Sequence, residues 1–214
     1  MLDKRQETHG AHPVRLDHWL PGAHWRTHHE RAVAAPVPEV ARALKEVTFR
    51  ETRLLRPLMT LRTLPSRLLG HSDGKPFAGD ADAIEGMKRM GFIVLDDVPG
   101  GELVTGFVGQ PWKPSLLKAV VPGLSPEEFL AFDRPGYVKG VTGLWAEPDG
   151  AGARLRTETR VYATDPGAAR RFTPYWVFIE PFSSLIRRDL LAAVGRRAER
   201  AAPGGPGGDA RRRA

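Results

Sequence analysis

An α+β fold, a curved antiparallel sheet closed by one long final helix, is predicted by three observations. The second half of the chain is a run of strand-like segments joined by Pro- and Gly-rich turns. The stretch LRTETRVYA, Leu155 to Ala163, alternates its side chains and stops just before Asp165-Pro166. Beyond that point Phe172, Trp176, Ile179, Phe182, Ile186 and Leu190 recur every three or four residues. A period of two belongs to a strand and a period near 3.6 to a helix, so the change of period marks a sheet-to-helix junction.

Each element follows from local chemistry. In WRTHHERAVAAP, Trp25, Thr27, His29, Arg31, Val33 and Ala35 share one parity, as a first strand requires. Pro36 and Pro38 end it and suit a helix entry, after which Val40, Leu44 and Val47 fall at helical spacing. Thr48 with Glu51 reads as a capping box opening a second helix, which Pro57 breaks or kinks. Leu64 to Gly79 reads as loop, and Asp82 to Met90 as a short helix closed by Gly91. FIVLDDVPGGELVTGFVG gives two strands around Pro-Gly-Gly, and GYVKGVTGLWAEPDGAGARLRTETRVYA gives two more around Pro148-Asp149-Gly150. Along the last strand Leu155, Thr157, Thr159, Val161 and Ala163 point inward. Arg154, Arg156, Glu158 and Arg160 point to water. Asp165 caps the final helix and Pro166 occupies its first turn, while Pro174 restarts and Pro181 kinks it.

Composition narrows the function classes. With 214 residues the chain fits one ordinary domain with loose ends, and it needs no staples to hold a core. The expected division is an N-terminal arm over 1–22, the main domain over 23–200 and a disordered basic tail over 201–214. Zero cysteines exclude disulfides, thiol catalysis and thiolate metal sites. No apolar run can span a bilayer and no secretory signal opens the chain, so the expectation is a cytoplasmic protein. Of the net charge of +7, six arginines against Glu199 and Asp209 place +4 beyond Gly195, leaving +3 for the body. A Gly- and Pro-rich end of that kind is a solubilising tail, and no nucleic-acid partner is expected.

The stretches HERAVAAPVPEVARAL, GGELVTGFVGQPW and TETRVYATDPGAARRFTPYWVFIEPFSSLIRR occur in the order of a helix-grip protein. Over roughly Asp17 to Arg197 the chain resembles the START-related, pollen-allergen-like superfamily, SRPBCC, in a bacterial branch. The resemblance implies six or seven strands, two short helices after the first, and a pocket between the sheet and the last helix. One strand is therefore still to be placed, within Leu116 to Val121. The resemblance also implies an apolar or amphipathic small-molecule partner, lipid or polyketide-like, held as carrier or sensor. The alternative that it implies is a polyketide cyclase- or dehydratase-like enzyme.

Several residues are candidates for such a pocket. Thr157 and Thr159, on the inward parity, either orient a ligand oxygen within an apolar wall or simply suit a strand. Phe107, Tyr137, Trp145, Trp176 and Ile179 are either lining or core. His29 has the parity of the pocket wall and is otherwise a satisfied structural histidine. No cofactor and no metal is expected. Six of seven histidines lie in the first 29 residues, but His9 and His12 sit on no ordered scaffold. GHSDGK (70–75) is one residue short of a phosphate loop, with Pro76 in the place of its Ser or Thr. DADAIE (80–85) lacks the calcium loop's glycine and reads as a helix start. Nothing in the sequence sets an oligomeric state.

Overall fold

The computed structural model describes residues 16–48, 50–54, 83–98, 102–113 and 119–202. Five strands, β1 (Trp25–Val33), β2 (Ile93–Asp97), β3 (Leu103–Gly109), β4 (Val138–Asp149) and β5 (Gly152–Ala163), form one antiparallel sheet in the order β1-β5-β4-β3-β2. The helices are α1 (Leu16–Trp19), α2 (Val37–Glu46), α3 (Ala83–Arg89), α4 (Pro126–Ala131) and α5 (Pro166–Ala201). The long α5 packs on one face of the sheet, chiefly over β1 and β5, and α2 packs beside it. The arrangement is α+β and helix-grip-like.

The predicted β1, β4 and β5 are present, with β4 and β5 joined through Gly150 and Ala151. Short α3 ends where expected: Gly91 takes a φ of 86°, which only glycine adopts without strain, and its N–H donates to Lys88 O. The second short helix expected after β1 falls mostly outside the described residues. The Thr48 N–H does donate to Glu51 Oε1, as one half of a capping box, but residues 50–54 that follow are not helical. In place of an edge strand in 116–121, Val120 makes a single bridge to Gly109, with 114–118 outside the described residues. The six-residue α4 was not anticipated, although Ser125, Pro126 and Glu128 carry its complete capping box.

At α5 the Asp165 carboxylate accepts from Gly167 N (2.7 Å), Ala168 N (3.1 Å) and Gly136 N, closing the first turn and tying it to the approach of β4. Contrary to the expected restart at Pro174, one helix runs through Pro174 and Pro181 for all 36 residues, about 54 Å at 1.5 Å per residue. Both prolines lie on the exposed side, where water can satisfy the carbonyls that they leave without a donor. The bond from Gly136, then those from the helix amides, hold the Asp165 carboxyl below its ordinary value of 3.8. A depressed carboxyl contributes stability above its unfolded value and loses it as pH falls through the folded one. Thermal melts of Asp165→Asn between pH 2 and 6 are expected to show less acid sensitivity than the parent. An identical acid limb would remove this carboxylate from the account.

Both faces of the sheet are covered. The inner face, under α5, carries two separate apolar clusters. One joins Val33, Leu103, Leu144 and Leu155 to α2 and to Leu191, Val194 and Ala198 of α5. The other joins Val138, Val161 and Phe172 to Trp25, Phe107, Trp112 and Trp176. On the outer face Leu16, Trp19 and Leu20 pack with Val104, Val108, Val141, Trp145 and Phe129. The outer parity of β5 is therefore less wet than its charges suggest. Arg160 is 4% exposed and bonds Glu158, Asp17 and the Leu20 carbonyl, pinning the α1 segment across the strand. Arg154 and Arg156 remain partly exposed in ion pairs with Glu30, Asp149 and Glu147.

Candidate functional site

Strand register builds the site. Thr27 on β1 stands opposite Thr159 on β5, Thr159 opposite Thr142 on β4, and Thr142 opposite Thr105 on β3. Side chains at paired positions share a face, so four threonines cross the inner face in one row. The next row toward the α2 end reads His29, Thr157, Leu144 and Leu103. The row on the other side reads Trp25, Val161, Gly140 and Phe107. The polar rows thus lie between the two apolar clusters.

Over this belt α5 presents Glu180, Ser183, Ser184 and Arg187, spaced so that one helical face carries all four. Arg187 Nη2 donates to Thr27 Oγ1 (2.9 Å), and Nη1 donates to Ser183 Oγ (3.0 Å) and Thr159 Oγ1 (3.3 Å). Thr159 is in turn 2.9 Å from Thr142 Oγ1. Among the described residues no carboxylate lies within ion-pair distance of Arg187. Burial pulls its guanidinium down to about 10, with the Glu180 charge opposing that fall. Its Nε is buried without an acceptor, and so is Thr157 Oγ1, in a residue only 1% exposed. Each such orphan costs about 1–3 kcal/mol, and buried polar groups are otherwise almost always paired.

A second chain of contacts runs alongside. Ser184 Oγ donates to the Glu180 carboxylate and lies 3.0 Å from His29 Nε2. A hydroxyl has one hydrogen, so in this arrangement His29 Nε2 carries the proton and donates to Ser184. Burial, then the charges of Arg187 and Arg188, lower the His29 pKa, with Glu180 opposing, so the ring is neutral at pH 7.

The belt is not sealed. Thr142 lies on the inner face of the central strand, where full burial is the rule, yet it is only half-buried. Thr27, His29, Phe107 and Arg187 are half-buried too. Gly140 makes room for the Phe107 ring, which a Cβ there would strike. A separate open groove of about 430 Å³ lies at the β2 edge, between Lys88–Val94 and Val120–Leu124. None of the sequence-predicted site residues lines it.

Of those residues, the structure gathers Thr157, Thr159, His29 and Phe107 on the inner face of the sheet. Trp176 packs at its aromatic end, beside Phe172. Ile179 is half-buried one turn before Ser183. Trp145 and Tyr137 belong to the outer cluster, because the pairing of Leu144 with Thr157 turns position 145 to the opposite face. The tracts around His9 and His12 and GHSDGK lie outside the described residues. Arg187, Ser184, Glu180 and Thr142 were not singled out beforehand. The signal for them was the polar interruption of the α5 stripe at 183–184 and 187, matched by threonines of inward parity.

No family model matches the chain, and no curated protein does. Among solved structures, the crystal structure of TTHA0849 from Thermus thermophilus matches with a TM-score of 0.30 and 13% identity, covering 81% of this chain and 97% of that one. What the site can do therefore follows from its own residues. Among the described residues no helix is long and apolar enough to cross a membrane.

Proposed function

We propose that the chain binds an amphipathic small molecule, lipid or polyketide-like, between α5 and the inner face of the sheet, as carrier or sensor. The supporting observation is the half-open polar belt between two apolar clusters, centred on Thr142 and roofed by Arg187. Small-molecule sites combine apolar walls with a few placed polar groups, and this belt has both. Phe107 and Trp176 supply wall on one side, and Leu103 and Leu144 on the other.

The test is thermal shift and native mass spectrometry of the full chain against lipids, acidic and neutral, and aromatic polyketides, with Thr142→Phe as the partner variant. Binding to the parent and its loss in a folded Thr142→Phe is the expected result. A parent that takes up none of the library overturns the reading.

A second reading, a cyclase- or dehydratase-like enzyme, is favoured by the chain from His29 through Ser184 to Glu180. A neutral histidine backed by a hydroxyl and a carboxylate can move a proton to or from a bound substrate. His29→Gln is then expected to keep binding and lose turnover of a polyketide-like substrate. Unchanged turnover would end this reading.

A further inference from the structure

We infer that the molecule held under α5 is an organic monocarboxylic acid, whose carboxylate is received by Arg187 with Thr157 beside it. The inference rests on the binding reading above and adds the head-group chemistry. A guanidinium has five N–H donors. Three are engaged by Thr27, Thr159 and Ser183, which leaves the Nε–H and one Nη2 hydrogen without an acceptor among the described residues. Nε and Nη2 form the edge that takes a planar carboxylate through two parallel bonds.

The stoichiometry also fits a single negative charge. Arg187 lacks an ion-pair partner among the described residues, and Glu180, the acid that acts on it through space, already accepts from Ser184. A second phosphate charge would lack a buried cation there, because Arg188 sits at an exposed position and burial disfavours the charged form of His29. Thr157 adds an unpartnered hydroxyl, buried two residues from Thr159 on the same face. It can donate to a carboxylate oxygen. The apolar body of the acid would lie along the row of Trp25, Gly140 and Phe107, where Trp25 and Phe107 are both half-buried.

The experiment titrates the full chain calorimetrically with decanoate against decan-1-ol, and with 2-naphthoate against 2-naphthamide. Arg187→Gln and Arg187→Lys are titrated in parallel. The parent is expected to prefer at least one acid over its neutral partner by more than about tenfold, and Arg187→Gln is expected to bind the two about equally. Which pair shows the preference tells an aliphatic body from an aromatic one. Because a variant can fail to fold, the Arg187 Nε–H resonance of the ¹⁵N-labelled parent is followed too, and it should move downfield with the acid alone. Equal binding of acid and neutral partner by the parent, or a preference that survives in Arg187→Gln, overturns the carboxylate while leaving the pocket standing. Binding of neither overturns both.

Discussion

Arg187→Met is expected to fold more stably than the parent while losing its preference for acids. Burial draws the guanidinium from the ordinary arginine range down to about 10. For a base, a depressed folded value means that the charge destabilises the native state at neutral pH. The penalty is fully present below about 10 and fades as pH rises toward the ordinary arginine value. At about 1.4 kcal/mol per pH unit the penalty is on the order of 3 kcal/mol, before its hydrogen bonds offset part of it. Methionine nearly matches the arginine stem in length and carries no charge to desolvate.

Removing one member of a buried ion pair usually destabilises, because the other charge is left alone. Here no partner carboxylate within ion-pair distance would be left behind among the described residues. Thr159 keeps its contact with Thr142, and the half-buried Thr27 and Ser183 hydroxyls can turn to water. A net gain of about 1–2 kcal/mol is expected, a rise in Tm of roughly 2–8 °C for a chain of this size. The measurement is paired calorimetric melts at pH 7 without ligand. A fall of several degrees would mean that Arg187 serves as a cross-link between α5 and β1, and the case for a binding role would lose its energetic support.

The legible parts of the fold were those decided by local chemistry. Asp165-Pro166, Gly91 and the alternation of β1 and β5 each depend on a few neighbouring residues, and each stands where expected. Facing was harder. Parity within β4 separates Leu144 from Trp145, but both are apolar and both faces of the sheet are buried, so only pairing with β5 tells inside from outside. Arg160 misled for the same reason, since an α1 segment far away in sequence covers it.

The final helix shows a related limit. The aromatic stripe through Phe172 and Trp176 was read onward to Ile186 and Leu190. Past Pro181 the buried positions are Ser184, Asp189, Leu191, Ala193, Val194, Gly195 and Ala198. Hydrophobic patterning assigns a serine or an arginine to solvent, so the polar residues that meet the threonine row were passed over. They fit only once Thr27, Thr159 and Thr142 are known to lie side by side.

Phe172→Ala is expected to be the most damaging single truncation on α5. The ring is 2% exposed, and its centroid lies 4.7 Å from that of Trp25, 5.6 Å from those of Tyr175 and Trp176, and 6.4 Å from that of Trp112. Deleting a buried phenylalanine costs about 3–5 kcal/mol, from lost transfer energy and from the cavity that remains. At roughly 2–4 °C per kcal/mol, Tm should fall by about 6–20 °C. Val177→Ala is the matched control, since Val177 is 70% exposed and alanine favours the helix, so its effect should stay within about 0.5 kcal/mol. Position matters beyond size. Phe172 lies on the stretch of helix before Pro174, and with the smaller Ala168 it holds that stretch to the Val138 and Val161 end of the sheet. A loosened N-terminal half should expose amides on α5 before those of the Leu191–Ala198 half, which α2 also holds. Hydrogen exchange on the variant should therefore show early loss of protection from Ala168 to Ile179, with Leu191 to Ala198 unchanged. Uniform loss along the whole helix would show that α5 is released as one unit, and that the aromatic end is no separate anchor.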